Sequence, residues 1–426
     1  MNLLIQQGTI VDPSQKLYVQ GDILVLNGKI AKILKRGATK KLPDVPTLNA
    51  KGLIVAPGFV DMHTHLREPG FEYKETIESG SKAAAHGGFT SIACMANTEP
   101  VNDTVYVTTF IQQRARESSI INIFPIGALS MGLQGKELTS IRSLKEAGCV
   151  AISDDGNPVL NSGLMRQALE YTQSLHIPVI VHAEDKTLSP LGVMHEGAHA
   201  TKLGLKGIPT ASEEIIVSRD IILSKLTKAH VHFAHVSTSG SVTAIERAKK
   251  ENLPITAEVT PHHLTLIDED VRLYDTHGKM SPPLRSRDDI RSLKRALKKG
   301  IIDAFATDHA PHSVLEKEVP FEVAQNGVIG LETALPITLS LVHEKVLTLP
   351  EFIQKWTLNP ARILHLSKGT LRVGADADIT IFDLNQKIEI DQKHFYSKSI
   401  NSPFVGWKCR GQVRYTLVSG KIVYET

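Results

Sequence analysis

The sequence lacks the features that mark secreted, membrane-spanning or nucleic-acid-binding proteins. Its 426 residues include three cysteines and no CxxC pair, which excludes a disulfide framework and argues against a thiolate metal site. No run of about 18 apolar residues occurs, and no basic leader precedes an apolar stretch, so we expect neither a membrane span nor a signal peptide. The formal net charge of +3 is too small to indicate nucleic acid or an anionic membrane as the main partner. A globular protein of a reducing compartment, which we take to be the cytoplasm, is the class that remains.

The two ends of the chain share a β-rich pattern. Two apolar runs flank Asn27-Gly28, a dipeptide typical of hairpin turns because both residues tolerate a positive φ. Near the other end, Ser419-Gly420 separates two further runs. We therefore expect one small β domain built from residues 1–55 and 366–426. Two unrelated terminal flaps are the alternative.

Between these ends, short apolar runs rich in β-branched residues alternate with helical patterns. There are eight such runs, at residues 58–65, 90–97, 121–128, 149–155, 178–184, 230–237, 254–261 and 302–310. Eight units of a strand followed by a helix predict an α/β fold, in which residues 56–365 form a (β/α)₈ barrel of the TIM type. A doubly wound open sheet is the alternative, but the first run lacks the glycine-rich turn of a dinucleotide-binding sheet.

One helical segment has a recognisable start. Thr210 and Glu213 have the spacing of a capping box, in which each side chain bonds to the backbone N–H of the other residue. The apolar residues that follow, through Leu226, predict a helix that begins at this box.

Side chains that can bind metals fall at or near the C-terminal ends of the predicted strands. They are His63 and His65 after the first run, Asp154 and Asp155 after the fourth, His182 after the fifth, His235 after the sixth, and Asp308, His309 and His312 after the eighth. A barrel brings these ends onto one rim, where enzymes of this fold carry their active sites. Taken singly, an HxH pair can be coincidence and Asp-Asp-Gly is ordinary turn chemistry. Together these residues indicate a metal site.

The number of candidate ligands indicates more than one ion. A catalytic zinc ion usually has three protein ligands and a water molecule, whereas the strand ends alone supply four histidines, at 63, 65, 182 and 235, and two carboxylate positions, at 154–155 and 308. Two ions about 3.5–4 Å apart, sharing one carboxylate and one hydroxide, account for the number. The predicted reaction is metal-assisted hydrolysis of an amide-like or phosphoester bond, in which a nearby carboxylate carries a proton to the leaving group.

Two further residues bear on the substrate. Arg67 lies two positions beyond His65, and a guanidinium group at the rim suits a carboxylate of the substrate. Asn97, at the end of the second run, can supply a second donor. The alternative is that Arg67 pairs with the nearby Glu68 or Glu72.

Longer motifs resemble those of the dihydroorotases, members of the amidohydrolase superfamily related to hydantoinases and allantoinases. The resemblance covers nearly the whole chain, and HTHLREPG (63–70) together with ATDHAPH (306–312) is highly specific. Further matching segments are AISDDG (151–156), VHAED (181–185), AHVST (234–238), AEVTPHHL (257–264) and KMSPPLR (279–285). It implies the reversible cyclisation of N-carbamoyl-L-aspartate to L-dihydroorotate in pyrimidine synthesis, with two zinc ions and a hydroxide that bridges them. It also implies a possible homodimer or an assembly with aspartate carbamoyltransferase.

The resemblance also assigns roles to single residues. His63, His65 and Asp308 would hold one zinc ion, His182 and His235 the other, and Asp155 would bridge the two. Asp308 would be the general acid/base, and the contacts to the substrate would come from Arg67, Asn97, Ser281, His312 and the backbone at Asn326 and Gly327. Residues 313–327 would form a mobile loop beside the site.

Some positions depart from the family pattern. Ser281 stands where the family usually has asparagine, and Asn326 replaces a more apolar residue. Two alternatives therefore stay open, a hydantoinase- or allantoinase-like cyclic amidohydrolase and a noncatalytic structural subunit.

Overall fold

The computed structural model describes residues 1–35 and 45–426. Within these residues the strands are β1 (Leu3–Asp12), β2 (Leu17–Leu26), β3 (Lys29–Lys35), β4 (Thr47–Asn49), β5 (Ile54–Pro57), β6 (Phe59–Thr64), β7 (Phe89–Cys94), β8 (Asn122–Pro125), β9 (Ile152–Ser153), β10 (Val179–Val181), β11 (Met194–His195), β12 (Gly207–Ile208), β13 (Val231–Phe233), β14 (Ile255–Val259), β15 (Ala304–Phe305), β16 (Ile379–Glu389), β17 (Lys408–Val418) and β18 (Lys421–Glu425).

The helices of the same residues lie mostly between the barrel strands. They are α1 (Ile77–His86), α2 (Val105–Ser118), α3 (Ile141–Glu146), α4 (Ser162–Leu175), α5 (Ala198–Leu203), α6 (Ala211–Thr227), α7 (Ser239–Lys250), α8 (Pro261–Thr265), α9 (Arg287–Lys298), α10 (Val314–Lys317), α11 (Ala334–Thr338), α12 (Ser340–His343), α13 (Leu349–Trp356) and α14 (Leu358–Ile363). Over the described ranges, none of them is both long and apolar enough to cross a membrane.

Eight parallel strands close into a barrel. Hydrogen bonds join β6, β7 and β8 in one sheet, and β9, β10, β13, β14 and β15, in that spatial order, in another. Backbone bridges from Gly127 to Ile152 and from Thr64 to His309 connect the two sheets on both sides. The strands are buried on both faces, which explains their continuous apolar sequence. Every barrel strand overlaps one of the eight predicted runs, so the (β/α)₈ barrel is confirmed and the open sheet is excluded.

Strands from both ends of the chain form one further sheet. Its order is β18-β17-β16-β5-β1-β2-β3, with β4 beside β1. The residues between β2 and β3, Asn27 and Gly28, have φ of 52° and 76°, and Ser419 and Gly420, between β17 and β18, have 47° and 75°. Two-residue hairpin turns need these positive values, so both predicted hairpins are confirmed and unrelated flaps are excluded.

Helix α6 starts close to the predicted residue, but the predicted capping box is wrong. Thr210 has helical backbone angles and its side chain makes no capping bond. The buried Glu213 carboxylate instead accepts hydrogen bonds from the backbone N–H groups of Ser237 and Thr238, both at 3.1 Å. These two N–H groups follow strand β13 in the protein interior, where leaving an N–H without a hydrogen bond is costly. The Glu213 carboxylate therefore bonds to them rather than to the backbone at Thr210.

Candidate metal centre and active site

The C-terminal ends of five barrel strands bring the six predicted metal-binding side chains together. They are His63 and His65 at the end of β6, Asp155 after β9, His182 after β10, His235 after β13 and Asp308 after β15. Ligand atoms of His63, His65 and Asp155 lie within 4.8 Å of one another, and the same is true of Asp155, His182 and His235. We call His63, His65 and Asp308 the first half of the site and His182 and His235 the second half. Asp155 is common to both.

Carboxylates surround the inner nitrogens of the first half. His63 Nε2 lies 3.4 Å from Asp155 Oδ1 and 3.4 Å from Asp308 Oδ1. His65 Nε2 lies 3.1 Å from Asp308 Oδ1 and 3.4 Å from Asp155 Oδ2. Both rings therefore turn Nε2 towards the centre of the site.

The outer ring nitrogens of the first half are held by other side chains. His63 Nδ1 donates to Glu258 Oε1 at 2.7 Å, and His65 Nδ1 donates to Asn97 Oδ1 at 2.8 Å. Because these contacts put the ring hydrogens on Nδ1, both Nε2 atoms keep a lone pair for a ligand. Asn97 was predicted to contact the substrate; in the structure it orients His65.

The second half has a different arrangement. His182 Nδ1 and His235 Nε2 lie 2.9 Å apart, and each is 3.6 Å from Asp155 Oδ1. On its outer side His182 Nε2 donates to Glu184 Oε2 at 3.2 Å. The φ of His235 is 33°, and the φ of Asp308 is 49°. Residues other than glycine are strained at positive φ, and such backbone strain often occurs at functional sites.

The carboxylates of the site raise the pKa of two of its histidines. Burial lowers the pKa of His63, but Asp155, Asp308 and Glu258 outweigh it and raise that pKa well above its usual value. Burial likewise opposes protonation of His182, yet the neighbouring carboxylates of Asp155 and Glu184 raise its pKa to about 9.

The carboxylates respond in the opposite sense. Although burial alone raises the pKa of Asp155, His63 and the other rings hold it well below its usual value. The carboxylate of Asp308 also has a lowered pKa, because His63 and His65 oppose the effect of burial. Ionised carboxylates beside histidine lone pairs are an environment suited to a cation.

Two buried atoms at the centre lack hydrogen-bond partners. Among the described residues, His63 Nε2 and Asp155 Oδ1 are buried and make no hydrogen bond within the usual distance. Buried polar atoms are nearly always paired, so two unpaired atoms that face one another require an explanation. Metal ions bound between them would satisfy both, and imidazole nitrogen with carboxylate oxygen is a donor set that zinc accepts. The residues present therefore fit a metal centre.

The neighbouring aspartates 154 and 155 have separate tasks. The Asp154 carboxylate accepts from the backbone N–H groups of Leu129 and Ser130 at 2.8 and 2.9 Å, and from the Ser130 hydroxyl. Burial raises the pKa of Asp154 to about 6. Asp154 thus supports the rim while Asp155 points into the site.

Arg67 does not pair with the acidic residues beside it. Glu68 pairs with Arg114 at 2.8 Å, and Glu72 accepts from the backbone of Gly70. Within residues 1–35 and 45–426 no carboxylate lies within ion-pair distance of the buried Arg67, whose Nε donates to the carbonyl of Pro311 at 3.1 Å. Its guanidinium group is therefore available to an anionic ligand.

His312 limits what Arg67 can bond within the protein. His312 Nε2 lies 2.8 Å from the carbonyl oxygen of Asn326 and 3.3 Å from Arg67 Nη2. The shorter contact requires Nε2 to carry a hydrogen and donate to the carbonyl, so it offers Arg67 no lone pair. Burial and the charge of Arg67 lower the pKa of His312 to about 2, which keeps the ring neutral.

The remaining predicted substrate contacts lie on two segments that are bonded to each other. Ser281 is on the segment that follows Lys279, and the Lys279 carbonyl accepts from the Gly327 N–H at 3.0 Å. The Gly327 carbonyl accepts from Lys317 Nζ and from Asn401 Nδ2. Both backbone groups of Gly327 are thus bonded within the protein, as is the Asn326 carbonyl, and the contact of these two residues with the substrate stays a prediction. The predicted mobility of residues 313–327 stays a prediction.

Two supporting glutamates escaped the sequence analysis. Glu258, on β14, bonds to His63, and Glu184 bonds to His182. Glu184 stands two residues after its partner, so its spacing carried a signal. Glu258 is 195 positions from His63 and gave none.

The chain is similar to known proteins over its whole length. Residues 52–241 match the dihydro-orotase-like family, and residues 223–424 match an amidohydrolase family. It is 51% identical over 425 residues to a dihydroorotase of Geobacter metallireducens, and 51% identical over 426 residues to one of Syntrophus aciditrophicus, with 100% of both chains covered each time.

Solved structures with the same fold include enzymes with other names. An L-hydantoinase (dihydropyrimidinase) from Arthrobacter aurescens is similar with a TM-score of 0.90 and 27% identity, over 100% of this chain and 96% of that one. A dihydropyrimidinase from Brevibacillus agri has a TM-score of 0.86 and 25% identity, over 100% and 95%. The barrel, its terminal sheet and the histidine–aspartate cluster define a cyclic amidohydrolase. On the sequence relatives, the chain belongs to the dihydroorotase family.

Proposed function

We propose that this chain catalyses the reversible cyclisation of N-carbamoyl-L-aspartate to L-dihydroorotate, a step of pyrimidine biosynthesis. The observation that carries the proposal is the convergence of His63, His65, His182 and His235 on one shared aspartate, beside an arginine that has no carboxylate partner among the described residues. Membership of the dihydroorotase family supports the choice of substrate.

The two halves of the site would each hold one metal ion. His63, His65 and Asp308 would bind the first, His182 and His235 the second, and Asp155 would contact both. Such ions, when bound, polarise an amide carbonyl and make water a stronger acid. Zinc as the metal, and two ions per chain, are part of this proposal.

Asp308 is the proton carrier of the proposed mechanism. In ring opening, water adds to the carbonyl carbon of the ring amide, the C–N bond breaks, and Asp308 moves a proton from the water to the leaving nitrogen. Ring closure reverses these steps, so the ureido nitrogen attacks the carboxyl carbon and water leaves. The ionised form in which His63 and His65 hold Asp308 is the form that accepts a proton.

Arg67 holds the remaining carboxylate of the substrate. Its guanidinium group is buried, and its Nη2 finds no acceptor in His312. A substrate carboxylate would therefore replace water at this position with a charged hydrogen bond, which is stronger than a neutral one. Asn97 Nδ2, on the far side of its contact with His65, is a second donor.

Parallel assays with dihydroorotate, hydantoin and allantoin test the substrate. We expect the zinc-loaded protein to turn over dihydroorotate and carbamoyl aspartate far faster than the other two. Turnover of hydantoin or allantoin alone would move the chain to the hydantoinase- or allantoinase-like alternative. No turnover, with no bound metal, would favour a noncatalytic subunit. A homodimer, an assembly with aspartate carbamoyltransferase and a cytoplasmic location stay predictions.

A further inference from the structure

A glutamate that contacts no substrate position touches both halves of the site. Glu258 is fully buried on β14. Its Oε1 accepts from His63 Nδ1 at 2.7 Å and from the backbone N–H of His235 at 3.4 Å, and its Oε2 accepts from His232 Nε2 at 3.1 Å. His63 belongs to the first half and His235 to the second, so one side chain links the two.

The contact with His63 decides which ring nitrogen faces the centre. A carboxylate accepts hydrogen bonds and donates none, so His63 Nδ1 must carry the hydrogen. Nε2 is then left with a lone pair directed at Asp155, which agrees with its lack of any hydrogen-bond partner. Partners of this kind fix the tautomer and the orientation of histidines that bind metals.

The contact with His235 holds a strained turn of the backbone. The φ of His235 is 33°, a region that residues with side chains avoid. Glu258 bonds to the chain on both sides of this residue, because its side chain accepts from the His235 N–H and its carbonyl accepts from the Val236 N–H at 3.0 Å. The turn aims the ring of His235 at Asp155.

We propose that Glu258 is a positioning residue of the metal centre, which orients His63 and holds the turn at His235 so that both rings point at Asp155. This inference rests on the proposed metal site. Glu258 acts through the two histidines and has no contact with the reacting atoms.

Cobalt binding to Glu258→Gln and to a matched control tests the proposal. An amide has the volume of the carboxylate but no charge, so the bonds that Glu258 Oε1 accepts from His63 Nδ1 and the His235 N–H lose their charge-assisted strength, and the amide nitrogen cannot accept from His232. Glu213→Gln is the control, since Glu213 is also buried and accepts several hydrogen bonds, but from Ser237 and Thr238. The visible absorption spectrum of Co²⁺ reports ligand geometry, and competition with a chelator gives its affinity.

We expect Glu258→Gln to bind Co²⁺ about tenfold to a hundredfold more weakly than the wild type, with an altered spectrum. Glu213→Gln should melt at a lower temperature but keep the wild-type affinity and spectrum. Wild-type affinity and spectrum in Glu258→Gln, or an equal loss in both variants, would overturn the proposal.

Two further outcomes distinguish a failure of this proposal from a folding defect and from a failure of the proposed metal site. If Glu258→Gln does not fold, Glu258→Asp is measured instead, because aspartate keeps the charge but is shorter by one methylene group. Wild-type Co²⁺ affinity in Glu258→Asp would also overturn the proposal. A wild-type protein that binds no Co²⁺ at all would instead contradict the proposed metal centre.

Discussion

The two halves of the site are built from similar ligands but are supported differently. In the first half, the His63 ring is inaccessible to solvent and lies among Asp155, Asp308 and the fully buried Glu258. In the second half, the outer side of His182 contacts Glu184, whose side chain is 14% exposed, and Glu258 reaches His235 only through the backbone N–H. A ring enclosed by carboxylates keeps one orientation, whereas a ring at the edge can adjust. The comparison indicates a rigid first half and a more adaptable second half.

The largest effect should come from the residue that both halves share. Asp155→Asn removes the charge that lies against His63, His182 and His235, so we expect both ions to be lost and activity to fall to background. Metal analysis of the purified variant measures this. Asp154→Asn is the matched control, because the Asp154 carboxylate bonds to Leu129 and Ser130 and not to the metal-site histidines. This variant should have a lower melting temperature but retain metal. Two ions bound to Asp155→Asn would contradict the shared role.

A change confined to the first half should separate chemistry from metal binding. Asp308→Asn removes the proton carrier but leaves His63, His65 and Asp155 in place. We expect kcat to fall by about 10²–10⁴-fold while the fold and much of the metal remain. Steady-state kinetics with dihydroorotate, alongside metal analysis, provides the measurement. A near-normal kcat would refute proton transfer by Asp308.

Arg67 lies outside both halves, so its replacement should leave both metals bound. Arg67→Lys keeps the positive charge but loses the planar pair of donors that suits a carboxylate. We expect KM to rise by about tenfold to a hundredfold, the equivalent of one charged hydrogen bond. The readout is KM for dihydroorotate at full metal loading. An unchanged KM would show that Arg67 does not bind the substrate carboxylate.

Glu184 tests the adaptability of the second half. Glu184→Gln weakens the outer contact of His182, and because the side chain at position 184 is partly exposed, water can take over part of that contact. We therefore expect a loss in metal affinity of about tenfold, at the lower end of what such partners contribute. Chelator competition under the same conditions as for Glu258→Gln allows direct comparison. A larger loss in Glu184→Gln than in Glu258→Gln would reverse the assignment of the rigid half.

The smallest effect concerns stability rather than chemistry. Lys317 is buried, donates to the carbonyls of Lys279, Gln325 and Gly327, and has its pKa lowered by burial to about 7. An unfolded lysine titrates near 10.5, so between pH 7 and 10.5 the unfolded chain binds more protons and the unfolding free energy rises with pH. This group adds up to about 1.4 kcal/mol per pH unit.

Urea unfolding of the wild type and of Lys317→Met at pH 7 and pH 9 measures that contribution. The wild type should gain more stability than the variant as the pH is raised, because methionine has no proton to release. The same pH dependence in both proteins would mean that Lys317 stays charged in the folded state.

The strands were predictable from sequence because a barrel buries them on both faces. Ile152, Val179 and Val231 had to be apolar whatever their neighbours, and the ligands follow the strands at fixed places. Local turns were equally readable, as Asn27-Gly28 illustrates.

Features that depend on distant parts of the chain were not predictable. Glu213 has the spacing of a local cap but bonds to Ser237 and Thr238, and nothing in the sequence near His63 points to Glu258. The contact of Asn97 with His65 spans two strands and leaves no local pattern, so only its substrate role, which stays a prediction, was inferred from the sequence. The candidate ligands could thus be located by their positions after the strands, whereas Glu258, which bonds to His63, required coordinates.

Anomalous scattering of zinc in crystals of the metal-loaded protein tests most directly whether the cluster around Asp155 binds two metal ions. We expect two peaks about 3.5–4 Å apart on either side of the Asp155 carboxylate. One should be bound by His63, His65 and Asp308, and the other by His182 and His235. A peak outside this cluster, or ordered side chains here with no zinc between them, would contradict this expectation.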